Sequence, residues 1–495
     1  MRQKTMKNRA TAALQRLSRP DLLELRAYIA GQWIHGERRL AVTDPATDEV
    51  IAHVAHCDEH WIDRAVDAAS EAFVSWRALL PTQRGQLLRK WAALTREHCQ
   101  DLATIMSAEQ GKPYAESLGE IDYGANFLEW FAAEAERSYA ESIPSHLPGS
   151  QLTTRLQPIG VTAAVTPWNF PNAMITRKAG AALAAGCPMI IKPAPETPLS
   201  ALALARLAEE AGFPAGVFQV VTGDAPKLSR QLLQRTEVRA FSFTGSTEVG
   251  RILLRQCADT VKKVSLELGG HAPFIVFEDA DVTEAASACI GAKFATSGQD
   301  CLAANRIYVQ RCHYDAFVTE FTRLAKALRV GHGLDEGVDI GPMTRASVAH
   351  KCRDHIGNAM SLGARLMCGG LDHDLGSSFV LPTVLADVTD EMDIAFEETF
   401  GPVAAILPFD DEQEVIQRAN NTEYGLAAYV YTNDLKRAAR VSSQLEYGMV
   451  ALNTSKFTGA PIPFGGWKQS GLGREGSKHG LAEYMELKYV CVGGL

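Results

Sequence analysis

Three stretches of the chain hold side chains suited to nucleophilic chemistry at a thiol. In GAKFATSGQDCLAANR, residues 291–306, Cys301 follows Gly298, Gln299 and Asp300. It falls at the break between a helix expected over about 282–294 and a strand expected over about 305–310. A thiol on a glycine-containing turn is presented to a cleft; the plain alternative is a packed cysteine, the commoner state of a free thiol. In VTPWNFP, residues 165–171, Asn169 stands between two aromatics and two prolines after an apolar strand. An amide N–H there faces a developing alkoxide, or only stabilises a turn. In SLELGG, residues 265–270, Glu267 ends an apolar strand before two glycines. Desolvation raises the pKa of such a carboxylate and makes it a base; a salt-bridged strand end is the alternative.

The elements that must position these groups follow from periodicity. From Pro158 onward short apolar strands, expected at 160–166, 188–192, 217–221 and 238–243, alternate with helices, the pattern of a parallel α/β sheet. The helix Leu199–Ala211 stops at Gly212, with Pro214 beyond. After the last of these strands, Thr244-Gly245-Ser246-Thr247-Glu248-Val249-Gly250 forms a strand-to-helix turn whose N–H groups suit a pyrophosphate. A second α/β region spans 270–451, with a helix over Ala346–Leu362 and strands near 402–408 and 425–431. ESIPSHLPGS, residues 141–150, is a Pro/Gly/Ser break. His56 and His60 share helical spacing, but they are read as solvent-exposed in a polar segment before the helix, with no third ligand and no metal expected.

Composition excludes several classes. The 495 residues allow two or three domains, and a net charge of −9 argues against a nucleic-acid face. The longest nearly apolar run, Ala179–Ile191, is far too short for a membrane span. Ten scattered cysteines with no CxxC pair indicate a reducing, cytoplasmic setting. The first twenty residues hold six basic and no acidic side chains and read as a short basic surface helix.

PWNFP, FTGSTEVG, LELGG, GQDC, EETFGPV and PFGGWKQSGLGREG stand in the order and spacing of the aldehyde dehydrogenase superfamily, from about Ala27 to the C-terminus. Within it, ITRKAGAALAAG and SGLGREGSKHG most resemble the succinate-semialdehyde dehydrogenases. The resemblance implies an α/β fold of two Rossmann-related parallel-sheet domains with a small oligomerisation arm. The dinucleotide-binding domain would take 21–140 and 158–269, the catalytic domain 270–451, and the arm 141–157 and 470–495. A homodimer or homotetramer follows, acting on a small aldehyde with NAD or NADP.

It also implies roles. Cys301 attacks the aldehyde, Asn169 and the Cys301 N–H hold the oxyanion, and Glu267 activates water against the thioester. Lys192 meets the adenosine ribose, Trp168, Gly245 and Ser246 line the nucleotide cleft, and Glu398 and Phe400 hold the nicotinamide end. Pro195 stands where NAD-preferring members often carry a glutamate, with Glu196 one step off, so NADP is permitted beside NAD. Phe170 and Phe464 are expected as aromatic funnel walls and Arg177 as the carboxylate ligand, with a structural ion pair as its alternative. The second arginine usual in succinate-semialdehyde dehydrogenases is Ala295 here, which admits a longer substrate such as glutarate semialdehyde, and Lys456 is a candidate substitute. Ala303 removes the family's neighbouring cysteine, so no local disulfide switch is expected. General aldehyde oxidation, acyl transfer to coenzyme A and a non-enzymatic binding role are the competing readings.

Overall fold

The protein is described by a computed structural model covering residues 6–370 and 374–495. Two sheets carry the architecture. The first has eight strands in the order Gly471–Leu472, Lys263–Glu267, Val238–Thr244, Val161–Val165, Met189–Lys192, Phe218–Val220, Ala27–Ile29 and Gln32–Ile34. Its five central strands are parallel. Val161–Val165 and Met189–Lys192 are buried at every position, as expected of strands covered by helices on both faces. From Val161–Val165 the chain moves outward in one direction through Met189–Lys192, then returns to the other side at Val238–Thr244. That reversal is a topological switch point, where open α/β sheets place ligands beyond the carboxyl ends of their strands. The loops leaving the two strands there are TPWNFP and TGST.

The helix Ala173–Ala185 follows the first of these loops and is buried along its whole length. Alanine and glycine keep its radius small, and it packs against the helix Tyr114–Glu134. Gly186 ends it in the left-handed region, φ 97°. The helix at Pro198–Ala211 stops at Gly212 in the same way.

The second sheet has seven strands in the order Arg365–Cys368, Thr383–Ala386, Val403–Phe409, Ala304–Gln310, Ala272–Val276, Ala427–Tyr431 and Met449–Leu452. Ala304–Gln310, near its centre, begins three residues after Cys301. A three-stranded antiparallel sheet joins Glu141–Ile143, Ser150–Pro158 and Met485–Gly493.

Three details depart from the sequence reading. Residues 470–484 do not belong with the arm: Gly471–Leu472 pairs with Lys263–Glu267, and the helix Ser477–Ala482 packs on Ala173–Ala185. The tail is drawn into the body because its Leu481, Tyr484 and Met485 complete the main core. Of the basic N-terminal segment, residues 1–5 lie outside the described residues, and Arg9–Leu14 is helical with Ala10 and Leu14 buried, so one face is core. His56 and His60 do not share a polar segment ahead of the helix: His56 ends the strand Val50–His56 and is half-buried, while His60 lies in the first turn of the helix Glu59–Trp76.

Candidate active site

Cys301 sits on a turn held by strain and by hydrogen bonds. The helix Val282–Phe294 ends, and Thr296, Ser297 and Gly298 then run through the left-handed region at φ 52°, 57° and 73°. Each non-glycine residue there costs about 1–3 kcal/mol, so the surroundings must enforce it. They do: the Thr296 N–H donates to Glu116 Oε2 at 2.8 Å, and the Gly341 N–H donates to Ser297 Oγ at 2.8 Å. A Cβ on Gly298 would collide with the Gly401 carbonyl, so the turn is seated against the EETFGPV segment.

Asn169 is held over the same turn. Its Nδ2 donates to the Gln299 carbonyl at 3.1 Å, and its Oδ1 accepts from the Phe170 N–H. Beneath lies a buried ion pair, Lys112 with Glu120 at 2.5 Å. Lys112 also donates to the Asn169 carbonyl at 2.9 Å and covers the Phe170 ring at 3.9 Å, while Glu120 accepts the N–H groups of Asn172 and Ala173. One ion pair thus fixes both the asparagine loop and the start of the next helix. Neither residue was identified from sequence; the only hint was EQGKP, a helix stop followed by a cation.

Glu267 ends its strand in parallel pairing with Thr244 and antiparallel pairing with Gly471. It is buried, and neither carboxylate oxygen has a hydrogen-bond partner. Burial pushes its pKa well up, and Glu475 adds to this against Arg177 and Lys178. A buried carboxylate without donors is poised to take a proton. Cys301 is also raised, by burial first and then by Asp300, Glu398 and Glu267.

Arg177 is not an open guanidinium on the funnel wall. It is 2% exposed, with Nη2 2.9 Å from Glu475 Oε2, and Lys178 pairs with the same carboxylate. The reason is the tail. Phe464 and Glu475 form a backbone bridge, with hydrogen bonds of 2.8 Å in each direction. That bridge places the Phe464 ring 4.0 Å from the Arg177 guanidinium and the Glu475 carboxylate beside it. Nη2 is taken by that ion pair, while Nε of Arg177 has no hydrogen-bond partner.

Phe170 and Phe464 both lie near this centre. Lys456 is exposed, and its neighbour Phe457 packs edge-on to Tyr429, whose hydroxyl donates to the Leu302 carbonyl at 2.9 Å. Asp300 is partly exposed beside the thiol. One oxygen accepts the Leu302 N–H at 2.9 Å, and among the described residues no cation lies within ion-pair distance of it. Sequence reasoning passed over it as part of the GQDC motif.

Lys192, Gly245, Ser246, Trp168, Glu398 and Phe400 are the residues expected to meet a dinucleotide. Lys192 is 1% exposed and its ammonium has no hydrogen-bond partner. Burial lowers its pKa to about 8, against the pull of Glu196 and Asp224. Ser246 caps the helix Thr247–Ala258 and is exposed, with Val249 bare on the first turn. Gly245 donates its N–H to the Glu267 carbonyl at 3.0 Å, which ties the TGST turn to the end of the Glu267 strand. Trp168 and Phe400 meet edge to face with centroids 5.5 Å apart. Glu398 accepts the Gly270 N–H at 3.1 Å and lines a cavity of about 480 Å³ with Lys351 and Tyr424; burial lifts its pKa to about 7. Pro195 lies on the turn after Lys192 and presents no donor or charge.

Residues 33–490 match the Aldehyde dehydrogenase family. The chain is an aldehyde dehydrogenase. It is 54% identical over 471 residues to the non-phosphorylating aspartate-semialdehyde dehydrogenase of Halomonas elongata, covering 95% of this chain and 96% of that one. It is 50% identical to the NADP(+) succinate-semialdehyde dehydrogenase of Escherichia coli, over 97% of this chain and 100% of that one. The crystal structure of an E. coli NADP-dependent enzyme superposes with a TM-score of 0.96 at 50% identity, covering 97% of this chain and all of the other.

This aldehyde dehydrogenase uses NAD or NADP, and the orphaned Lys192 ammonium fits a nucleotide hydroxyl or phosphate. No helix among the described residues is long and apolar enough to cross a membrane, and none of their His, Cys, Asp and Glu side chains group as a metal site. Asp300 offers a direct test of the thiol's environment. Removing its charge in Asp300→Asn is expected to lower the Cys301 pKa, so that iodoacetamide alkylates the enzyme faster at neutral pH. An unchanged pH–alkylation profile would place the carboxylate out of reach of the thiol.

Proposed function

We propose that this aldehyde dehydrogenase oxidises an ω-carboxy semialdehyde, with succinate semialdehyde as the reference substrate. The observation that carries the reading is the unpartnered Nε of the buried Arg177 guanidinium beside Phe464, a charged donor for a carboxylate. The ion pair with Glu475 takes Nη2 and leaves Nε unsatisfied, so a substrate carboxylate completes it.

Cys301 as thiolate bonds to the aldehyde carbon, and the oxygen becomes an alkoxide faced by the Asn169 amide and the Cys301 N–H. The dinucleotide, when bound, supplies the hydride acceptor that turns this adduct into a thioester. Glu267 then removes a proton from water as the water attacks the thioester carbon; the carboxylic acid leaves and the thiol is restored. Burial, and after it the carboxyls of Asp300, Glu398 and Glu267, favour the protonated thiol, and a proton must leave before attack. The exposed strands Glu141–Ile143 and Met485–Gly493 present Ile143, Leu487 and Tyr489 on one side, and we assign this face to self-association in a cytoplasmic homo-oligomer.

The test is kcat/KM for succinate semialdehyde against butanal. One charge-assisted contact gives an expected preference of about ten- to a hundredfold. Equal values would make Arg177 structural and remove the carboxylate from the substrate description. Asp300 favours a second reading, a semialdehyde that also carries an ammonium group, as in the substrate named for the Halomonas relative. Aspartate semialdehyde then outperforms succinate semialdehyde, and Asp300→Asn reverses the order.

A further inference from the structure

At the adenosine end of the cleft a charge pair spans the two sheets. Glu196, four residues after Lys192, places Oε1 2.6 Å from Nε of Arg345. Its other oxygen, Oε2, is buried without a partner, and the Lys192 ammonium is buried without a partner as well. Arg345 is the residue preceding the helix Ala346–Ser361, and its side chain is 46% exposed. Its segment is fixed to the nucleophile turn: Thr344 donates its N–H to Gln299 Oε1 at 2.9 Å, and Gly341 donates to Ser297. Asp224 is the remaining charge acting on Lys192.

The arrangement is unbalanced in a specific way. Two cations and two carboxylates share the site, yet only one pair is made. The Lys192 ammonium and one Glu196 oxygen are left without hydrogen-bond partners. A buried cation without a partner costs free energy that a bound anion returns. Glu196 is too close to be neutral toward a phosphate, but Arg345 already holds it.

We propose that Arg345 decides the dinucleotide preference of this enzyme by binding the 2′-phosphate of NADP together with Lys192. The inference rests on the placement of the cofactor's adenosine ribose at Lys192. Glu196 occupies Arg345 as a stand-in anion. A 2′-phosphate displaces it, and its two negative charges then face two cations. NAD lacks that group and leaves the Glu196–Arg345 pair intact, so both dinucleotides bind and the extra affinity belongs to NADP.

Half-cofactors isolate this end of the site from the chemistry. Isothermal titration of the intact enzyme with 2′,5′-ADP and with 5′-AMP is expected to show about tenfold or greater preference for 2′,5′-ADP, the scale of one charge-assisted contact. Arg345→Ala is expected to abolish that preference without changing 5′-AMP binding, and Arg345→Lys to keep part of it. Glu196→Gln, which removes the competing anion, is expected to enlarge it. Equal weakening of both nucleotides by Arg345→Ala, or no preference in the wild type, overturns the proposal. Lys192→Met separates the underlying placement: it is expected to weaken both ligands. If it leaves both unchanged, the adenosine does not sit there and the Arg345 assignment falls with it.

Discussion

Glu267→Gln is expected to lower steady-state turnover by about 100- to 10,000-fold, the range of a lost general base, while sparing a burst of one reduced dinucleotide per active site. Glutamine keeps the size of the side chain but cannot accept a proton from water. The carboxylate is buried and neither of its oxygens has a hydrogen-bond partner, so its removal costs no visible structural contact. Rapid-mixing measurements of dinucleotide absorbance separate the two phases. Loss of the burst together with turnover would mean that Glu267 also takes the thiol proton before attack. The pH dependence has a definite sign. Burial, then Glu475, raises the Glu267 pKa well above 4.5. The base is therefore protonated and idle over a wider acid range than an ordinary glutamate, and turnover climbs with pH through that raised value.

The second large effect is at Glu475. Glu475→Gln removes the shared anion of two buried cations, Arg177 and Lys178. Breaking a buried ion pair from one side costs about 3–5 kcal/mol, read as a fall in the urea midpoint at constant slope. Burial pushes the Glu475 carboxyl up, but Lys178 and Arg177 outweigh it and hold its pKa below the ordinary 4.5. A depressed carboxylate pKa contributes stability above the unfolded value that is lost as pH falls through the folded one. The cost of the substitution is therefore full at neutral pH and shrinks in acid below about 4.5. Catalysis shifts as well. With Glu475 gone, Arg177 and Lys178 still draw the Glu267 pKa down, so the acid limb of turnover moves to lower pH. A variant with wild-type stability and an unmoved acid limb would mean that the pair neither stabilises the fold nor reaches the base.

The sequence by itself determined the parts whose physics is local. Apolar runs at Val161–Val165 and Met189–Lys192, helices stopped by Gly186 and Gly212, and the glycine-containing turn before Cys301 declare strand, helix and turn from neighbouring residues. These local signals place the parallel α/β pattern and the positions of Cys301, Asn169 and Glu267. What they cannot supply is which distant side chain meets which. Arg177 and Glu475 are 298 residues apart, and Arg345 and Glu196 are 149 apart. An open cation and a satisfied one look identical in sequence; only the Phe464–Glu475 bridge, made when the tail joins the core, turned Arg177 into half of a buried pair. The same closure took residues 471–484 out of the arm and into the site. Lys112 was hidden for a related reason: its role is to hold the Asn169 carbonyl 57 residues away. Tertiary structure decided these pairings because a buried charge must find its partner wherever the folded chain brings one.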